Sequence, residues 1–219
     1  VAAGDESKER EPSMATENPY RRSLLRQERS IDTRRKLVRA AQRLWAEKGY
    51  DNTTVEEICS EAGVGRTTYY LHFSSKEQLL VELTHATAQG VAADLEHAPN
   101  AGDLDEQLRT FVDGLVRRMD AVPRSLAALT IRSAIVGSIG FTRASSEVVL
   151  FEDIFTDILV GAQRRGELRG DFDAREIGDV LGGMTMDALE RWASESSEAS
   201  LEHNLNLRIS LVLDGLRTA

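Results

Sequence analysis

Apolar residues recur at three- and four-residue intervals through most of this chain. Leu37, Ala40, Ala41, Leu44 and Trp45 form the first such stripe, which stops at Gly49, a residue suited to a left-handed C-terminal cap. The spacing predicts a helix that begins near Asp32. A second, shorter helix starts at Thr54, whose hydroxyl can cap the first turn while Glu57 reaches back, and Val55, Ile58, Cys59 and Ala62 supply its buried side. Gly63 breaks that helix, a short segment from Gly65 to Phe73 follows, and Ser74, Ser75, Glu77 and Gln78 announce the next start. Further helices are predicted over residues 75–97, 103–121, 123–139, 145–165, 173–194 and 200–217, with Pro99, Asn100, Pro123, Gly140 and the run Gly166 to Gly170 between them. No alternating strand pattern competes and no repeat of fixed length occurs, so the fold is expected to be all-α with about nine helices. Residues 1–31 hold Pro12 and Pro19, many charges and few large apolar groups, which predicts a flexible arm with a basic end.

Composition changes this picture little, and charge changes it more. With 219 residues, 41% hydrophobic and 29% charged, the chain has a globular balance and can bury roughly 70% of its unfolded surface without a disulfide or metal. One cysteine, Cys59, excludes an intramolecular disulfide and Cys-rich zinc sites and fits a reducing cytoplasm, the expected location. No apolar run reaches the ~18 residues of a membrane span, and Val1 to Glu11 lack the apolar core of a secretory signal. The net charge of -9 argues against a nucleic-acid partner until it is divided along the chain. Residues 1–19 carry 2 basic and 5 acidic side chains, residues 20–76 carry 12 and 7, and residues 77–219 carry 13 and 24, giving -3, +5 and -11. The run Arg21, Arg22, Arg26, Arg29, Arg34, Arg35, Lys36, Arg39 thus stands beside an acidic body. Such a run is the footprint of a segment that meets phosphates, or else a solvated basic tail.

Three short helices over residues 32–73, with a glycine turn between the second and third, match the helix-turn-helix layout whose last helix enters the major groove. Gly63 can take a positive φ at low cost, and Val64 can plug the angle between the helices. On the third helix Arg66, Thr67 and Tyr70 can form an outer face, with Tyr69 and Phe73, four apart, on the inner one. The segment Thr53 to Ile58, followed by Ala62-Gly-Val-Gly-Arg-Thr-Thr-Tyr-Tyr-Leu-His-Phe73 and Ser75-Lys-Glu-Gln-Leu79, resembles the N-terminal signature of the TetR family of bacterial transcriptional regulators. The motif covers about a fifth of the chain and is specific in its spacing. Gly65 stands where the family often has a serine cap, and glycine caps nearly as well.

The resemblance implies a DNA-binding transcriptional regulator, a homodimeric repressor on a palindromic operator released by a small-molecule ligand, with no enzymatic activity, no cofactor and no metal. It implies a helix-turn-helix DNA-binding domain over 32–78 and a helical ligand-binding and dimerisation domain over 79–219. Arg66 and Thr67 fall at base-reading positions, since Arg reads guanine edges and a Thr methyl meets thymine. Thr54, Thr68, Tyr70, His72 and Lys76 fall where the family commonly holds phosphates. Lys76 also lies in a first helical turn, where free N–H groups and the dipole favour an anion. Plainer readings stand beside these: His72 as a packed histidine, Tyr69 as core, Cys59 as a small buried apolar group, and the arm 21–29 either in the minor groove or idle.

In the C-terminal part, Ile177, Val180, Leu181, Met184, Ala188, Leu189 and Trp192 keep one helical stripe, and Gly182-Gly183 would admit another helix closely. The last helix is apolar on more than one face, with Leu201, Leu205, Leu207, Ile209, Leu211, Val212, Leu213 and Leu216. The resemblance implies that these two helices pair with their copies in the dimer. It also implies a ligand pocket, whose expected wall is His85, Gln89, Phe111, Leu115, Met119, Leu129, Arg132, Phe151, Phe155 and Met184, any of which could equally be plain core. Arg132, a cation on an apolar helix, wants an acidic partner or an anionic ligand. The competing readings are an all-helical enzyme and a helical ligand-binding protein without a DNA role. The four scattered histidines lack metal-ligand spacing and no nucleophile or phosphate-loop motif occurs, which disfavours the enzyme.

Overall fold

The computed structural model describes residues 19–97, 102–138, 149–194 and 200–218. Within them the chain forms α1 (Pro19–Lys48), α2 (Val55–Ala62), α3 (Arg66–His72), α4 (Lys76–His97), α5 (Leu104–Asp120), α6 (Arg124–Ser138), α7 (Phe151–Arg165), α8 (Ala174–Ala193) and α9 (Leu201–Leu213). Among the described residues the only extended pairing is an isolated bridge between Leu168 and Arg217. The all-α expectation holds.

The largest departure lies at the start. Helix α1 begins at Pro19, not near Asp32, so residues 19–31 are helical where a flexible arm was expected. Proline fits the first helical position, and Arg21, Leu24, Leu25, Arg26, Gln27 and Glu28 are good helix formers, so the helix extends without a buried face to mark it. Residues 1–18 lie outside the described residues. At the other end the expected helix 200–217 stops at Leu213, because the chain turns there to fold onto the α7–α8 loop: Arg169 N–H donates to Leu216 O at 2.9 Å and Thr218 N–H to Glu167 O at 3.2 Å.

Two apolar cores organise the helices. The first, in the head, joins Leu37, Ala41 and Trp45 of α1, Ile58 and Cys59 of α2, Tyr69 and Phe73 around α3, and Leu79, Leu80 and Leu83 of α4. Leu126, far off in sequence on α6, is buried in the same core. The second, in the body, gathers α5 to α9 with Ala88 and Val91 of α4 around a ring cluster: Phe111 lies 4.5 Å from Phe155, tilted, and 5.9 Å from Phe151, edge-on, between centroids. Helix α4 therefore belongs to both. In the body α7 lies directly against α8, where a Cβ on Gly182 would sit 2.8 Å from the Glu152 nitrogen, while one on Gly183 would meet nothing. The close approach expected of the glycine pair is made by Gly182 with α7, and Gly183 is left facing outward.

Candidate nucleic-acid interface

The head begins with the capping box that the Thr54 and Glu57 spacing calls for. Thr54 N–H donates to Glu57 Oε2 at 2.8 Å and Glu57 N–H to Thr54 Oγ1 at 3.3 Å. Helix α2 ends at Gly63 with φ 67° and ψ 34°, and Val64 N–H returns to Cys59 O at 2.9 Å. That left-handed residue is what lets α3 leave at a steep angle within one turn. On the far side Tyr69 and Phe73 are fully buried, with ring centroids 5.9 Å apart, and the Tyr69 hydroxyl donates to Ser75 O at 3.1 Å. Burial pushes the Tyr69 phenol above its ordinary range, so it stays protonated and its bond to the α3–α4 loop holds.

The opposite face of α3 is free for a partner. Arg66, Thr67 and Tyr70 are exposed, as is Thr54 at the start of α2. Thr68 is half-buried. Arg66 Nη1 lies 2.5 Å from Glu56 Oε1, an ion pair between two well-exposed side chains that a stronger anion can displace. Leu71, which sequence reading passed over, is 79% exposed and is the most exposed large apolar side chain among the described residues. Its signal was its place: one turn after Thr67 on the outer face.

Two expected phosphate contacts are placed differently. The Lys76 ammonium turns inward, donating to Tyr50 O at 2.8 Å and Thr53 O at 3.0 Å, with the Tyr50 ring centroid 4.0 Å away. It ties down the α1–α2 loop that presents Thr54. His72 is half-buried, and burial together with the nearby Arg34 charge lowers its pKa. Arg34 is the other residue missed, hidden in the basic run. Its guanidinium grips Glu82 of α4 through both oxygens (2.7 and 2.5 Å) and lies 4.7 Å over the Phe73 ring.

The comparisons with known proteins fall on this head first. Residues 37–83 match the family model "Bacterial regulatory proteins, tetR family", the span from Leu37 to Leu83 that builds the first core. The uncharacterized HTH-type transcriptional regulator YerO of Bacillus subtilis (strain 168) is 42% identical over 50 residues, 23% of this chain and 17% of that one. Longer alignments reach the HTH-type transcriptional repressor KstR2 of Rhodococcus jostii (strain RHA1), 27% identical over 84% of this chain and 90% of that protein. Thermus thermophilus FadR, a TetR family transcriptional repressor solved in complex with lauroyl-CoA, superposes with a TM-score of 0.65 at 25% identity over 85% of this chain and 97% of that one. The matches support a TetR family transcriptional regulator for this chain. It is a DNA-binding transcriptional regulator, with α2 and α3 as its helix-turn-helix.

A cavity of about 280 Å³ lies where head and body meet. Gln42 of α1, Leu83, Thr84 and Thr87 of α4, Arg118 and Met119 of α5, Leu126 and Ile131 of α6, Phe151 of α7 and Leu189 of α8 line it. Of the expected wall, Met119 and Phe151 are there. Phe111, Leu115 and Phe155 are fully buried in the body core instead, and Leu129 packs against the head core. His85 sits beside Glu82 at 3.8 Å, Gln89 is exposed, and the Met184 carbonyl accepts from Arg208 Nη1 at 3.4 Å. Arg132 is exposed and lines a separate cleft with Asp187, Glu190 and Arg191. Helical spacing places all of these on inward or outward faces but not at one point along the bundle, which is why only Met119 and Phe151 of the set meet at this cavity. Among the described residues no cluster of His, Cys, Asp or Glu could hold a metal, and no helix is long and apolar enough to cross a membrane.

Proposed function

We propose that the chain is a homodimeric repressor that binds a palindromic operator and leaves it when a small molecule occupies the cavity. The observation that carries this reading is the shared helix α4. Its first turns, with Leu79, Leu80 and Leu83, complete the core behind α3, and Leu83, Thr84 and Thr87 line the cavity. A ligand that fits only one placement of α4 shifts the head with it. The repressor KstR2 and the lauroyl-CoA complex of FadR support repression and an effector. DNA binding belongs to residues 32–78, with Arg66 and Thr67 reading bases and Thr54, Thr68 and Tyr70 on phosphates, while 79–219 hold the effector and pair the subunits, all in the cytoplasm.

One recognition helix of seven residues reads few bases, and a two-fold dimer doubles the set on grooves about 34–36 Å apart. Supporting pairing through the last two helices, Val180, Leu207 and Leu211 are 49%, 48% and 70% exposed on α8 and α9, and Gly183 is open. The test is a gel-shift titration on operator DNA selected from a random pool. Arg66→Ala and Tyr70→Ala are each expected to weaken specific binding about 10- to 100-fold, with melting temperatures unchanged. Specific binding retained in both variants overturns the assignment of the α3 face.

A further inference from the structure

The cavity wall is apolar but for a few groups, and one of them is charged. Arg118 reaches it from the last turn of α5. Its guanidinium lies flat on Gly90 of α4, where any Cβ would stand 2.5 Å from Nε and 2.8 Å from Nη2. A glycine in a helix interior costs stability, and here its missing side chain is the seat of the guanidinium. Arg118 Nη1 and Nη2 donate to the two Asp94 oxygens at 2.6 and 3.1 Å, and Nη1 also reaches Gly114 O at 2.8 Å. Arg117 donates to the same carboxylate at 2.8 Å. Two guanidiniums thus share one carboxylate, leaving a net positive charge at the cavity, and the Arg118 Nε–H has no hydrogen-bond partner among the described residues.

We propose that the effector is an apolar molecule carrying one anionic group, its apolar part against Met119, Ile131, Phe151 and Leu189 and its anion on Arg118. The inference rests on the cavity as the effector site. An anion at Arg118 competes with Asp94. Since the Arg118–Asp94 pair ties α5 to α4, sharing the guanidinium slackens the tie on the helix that carries the head. A neutral molecule of the same shape fills the apolar wall without touching this contact. The charge is therefore both what selects the ligand and what transmits its arrival.

Decanoate and 1-decanol, alike in chain and different in charge, serve as probes of the full-length protein by isothermal titration calorimetry. Decanoate is expected to bind at least about tenfold more tightly than decanol, the worth of a charge-assisted contact. Arg118→Gln removes that preference by weakening decanoate alone. Asp94→Asn strengthens decanoate several-fold, a gain that a purely structural Arg118 would not produce. Where Arg118→Gln loses its cooperative melt, Gly90→Ala displaces the guanidinium and is expected to abolish the same preference. Equal affinities in the wild type overturn the anion assignment and leave the cavity as an apolar site. Preference retained in folded Arg118→Gln places the anion elsewhere and also overturns it, and binding of neither probe overturns both this inference and the effector cavity.

Discussion

The recognition helix and the cavity wall are both made of helix surface, yet they divide their labour differently. On α3 folding and the proposed binding occupy opposite faces: Tyr69 and Phe73 are buried, while Arg66, Thr67, Tyr70 and Leu71 are exposed. At the cavity one set of side chains does both. Phe151 packs edge-on to Phe111 in the body core and also lines the cavity, and Leu126 is at once cavity wall and head core. A surface that must meet DNA can be altered without unfolding the protein. A surface that receives a small apolar ligand is continuous with the core that holds the bundle together.

The largest effect tests that division directly. Phe73→Ala removes a fully buried ring and the platform under Arg34, and is expected to cost about 3–5 kcal/mol in urea unfolding. Tyr70→Ala, three residues earlier on the outer face, is expected to change stability by no more than about 0.5 kcal/mol. At the cavity no such separation is available: Phe151→Ala is expected to lose a comparable amount of stability and weaken decanoate binding in the same variant. Comparable losses from Phe73→Ala and Tyr70→Ala would show that α3 is not divided into two faces.

A smaller effect comes from the ion pair between α1 and α4, Arg34 with Glu82. Burial alone would raise the Glu82 pKa, but the bonds from Arg34, with His85 nearby, outweigh it and hold the carboxyl down from 4.5 to about 2. A depressed carboxyl contributes stability that is full above its unfolded value and is lost as pH falls through its folded value. The window is therefore from about 4.5 down to about 2. Because the Arg34 side chain is 40% exposed, the contribution is screened to about 1–2 kcal/mol. Glu82→Gln is expected to be less stable near neutral pH and to show a flatter fall across that window. A slope equal to the wild type's would assign the acid sensitivity to other carboxylates.

The same division explains what could be read from the residues alone. The α3 face was legible because DNA contact asks for particular polar types at fixed offsets from a glycine turn, and Arg66, Thr67 and Tyr70 lie on the outside as their spacing requires. The cavity was not, because Phe111 and Phe151 are the same residue type on neighbouring helices, both buried, and only three-dimensional position brings Phe151 to the cavity as well. Lys76 shows the limit of counting charges: a cation in a first helical turn suits a phosphate, but two carbonyls of the α1–α2 loop reach it from within the chain. The first part of α1 was missed for want of a buried stripe, since helix propensity without burial leaves no periodicity to read. Arg118 did leave a trace in Gly90, a glycine in the middle of α4, which marks a close approach without saying what approaches.

The smallest expected effect bears on the outer face itself. Arg66 is held by Glu56, so if Arg66 reads bases as proposed, it would come to DNA already paired and with a carboxylate beside it. Both side chains are more than half exposed, and such a pair contributes about 0–1 kcal/mol to folding. Glu56→Gln should therefore leave stability within about 0.5 kcal/mol of the wild type. It releases Arg66 and removes a repulsive charge, so operator affinity is expected to rise about two- to fivefold at low salt, with the gain shrinking as salt screens both terms. An affinity that falls instead would mean that Glu56 orients the Arg66 guanidinium for its base, and that the outer face of α3, like the cavity wall, depends on contacts made within the chain.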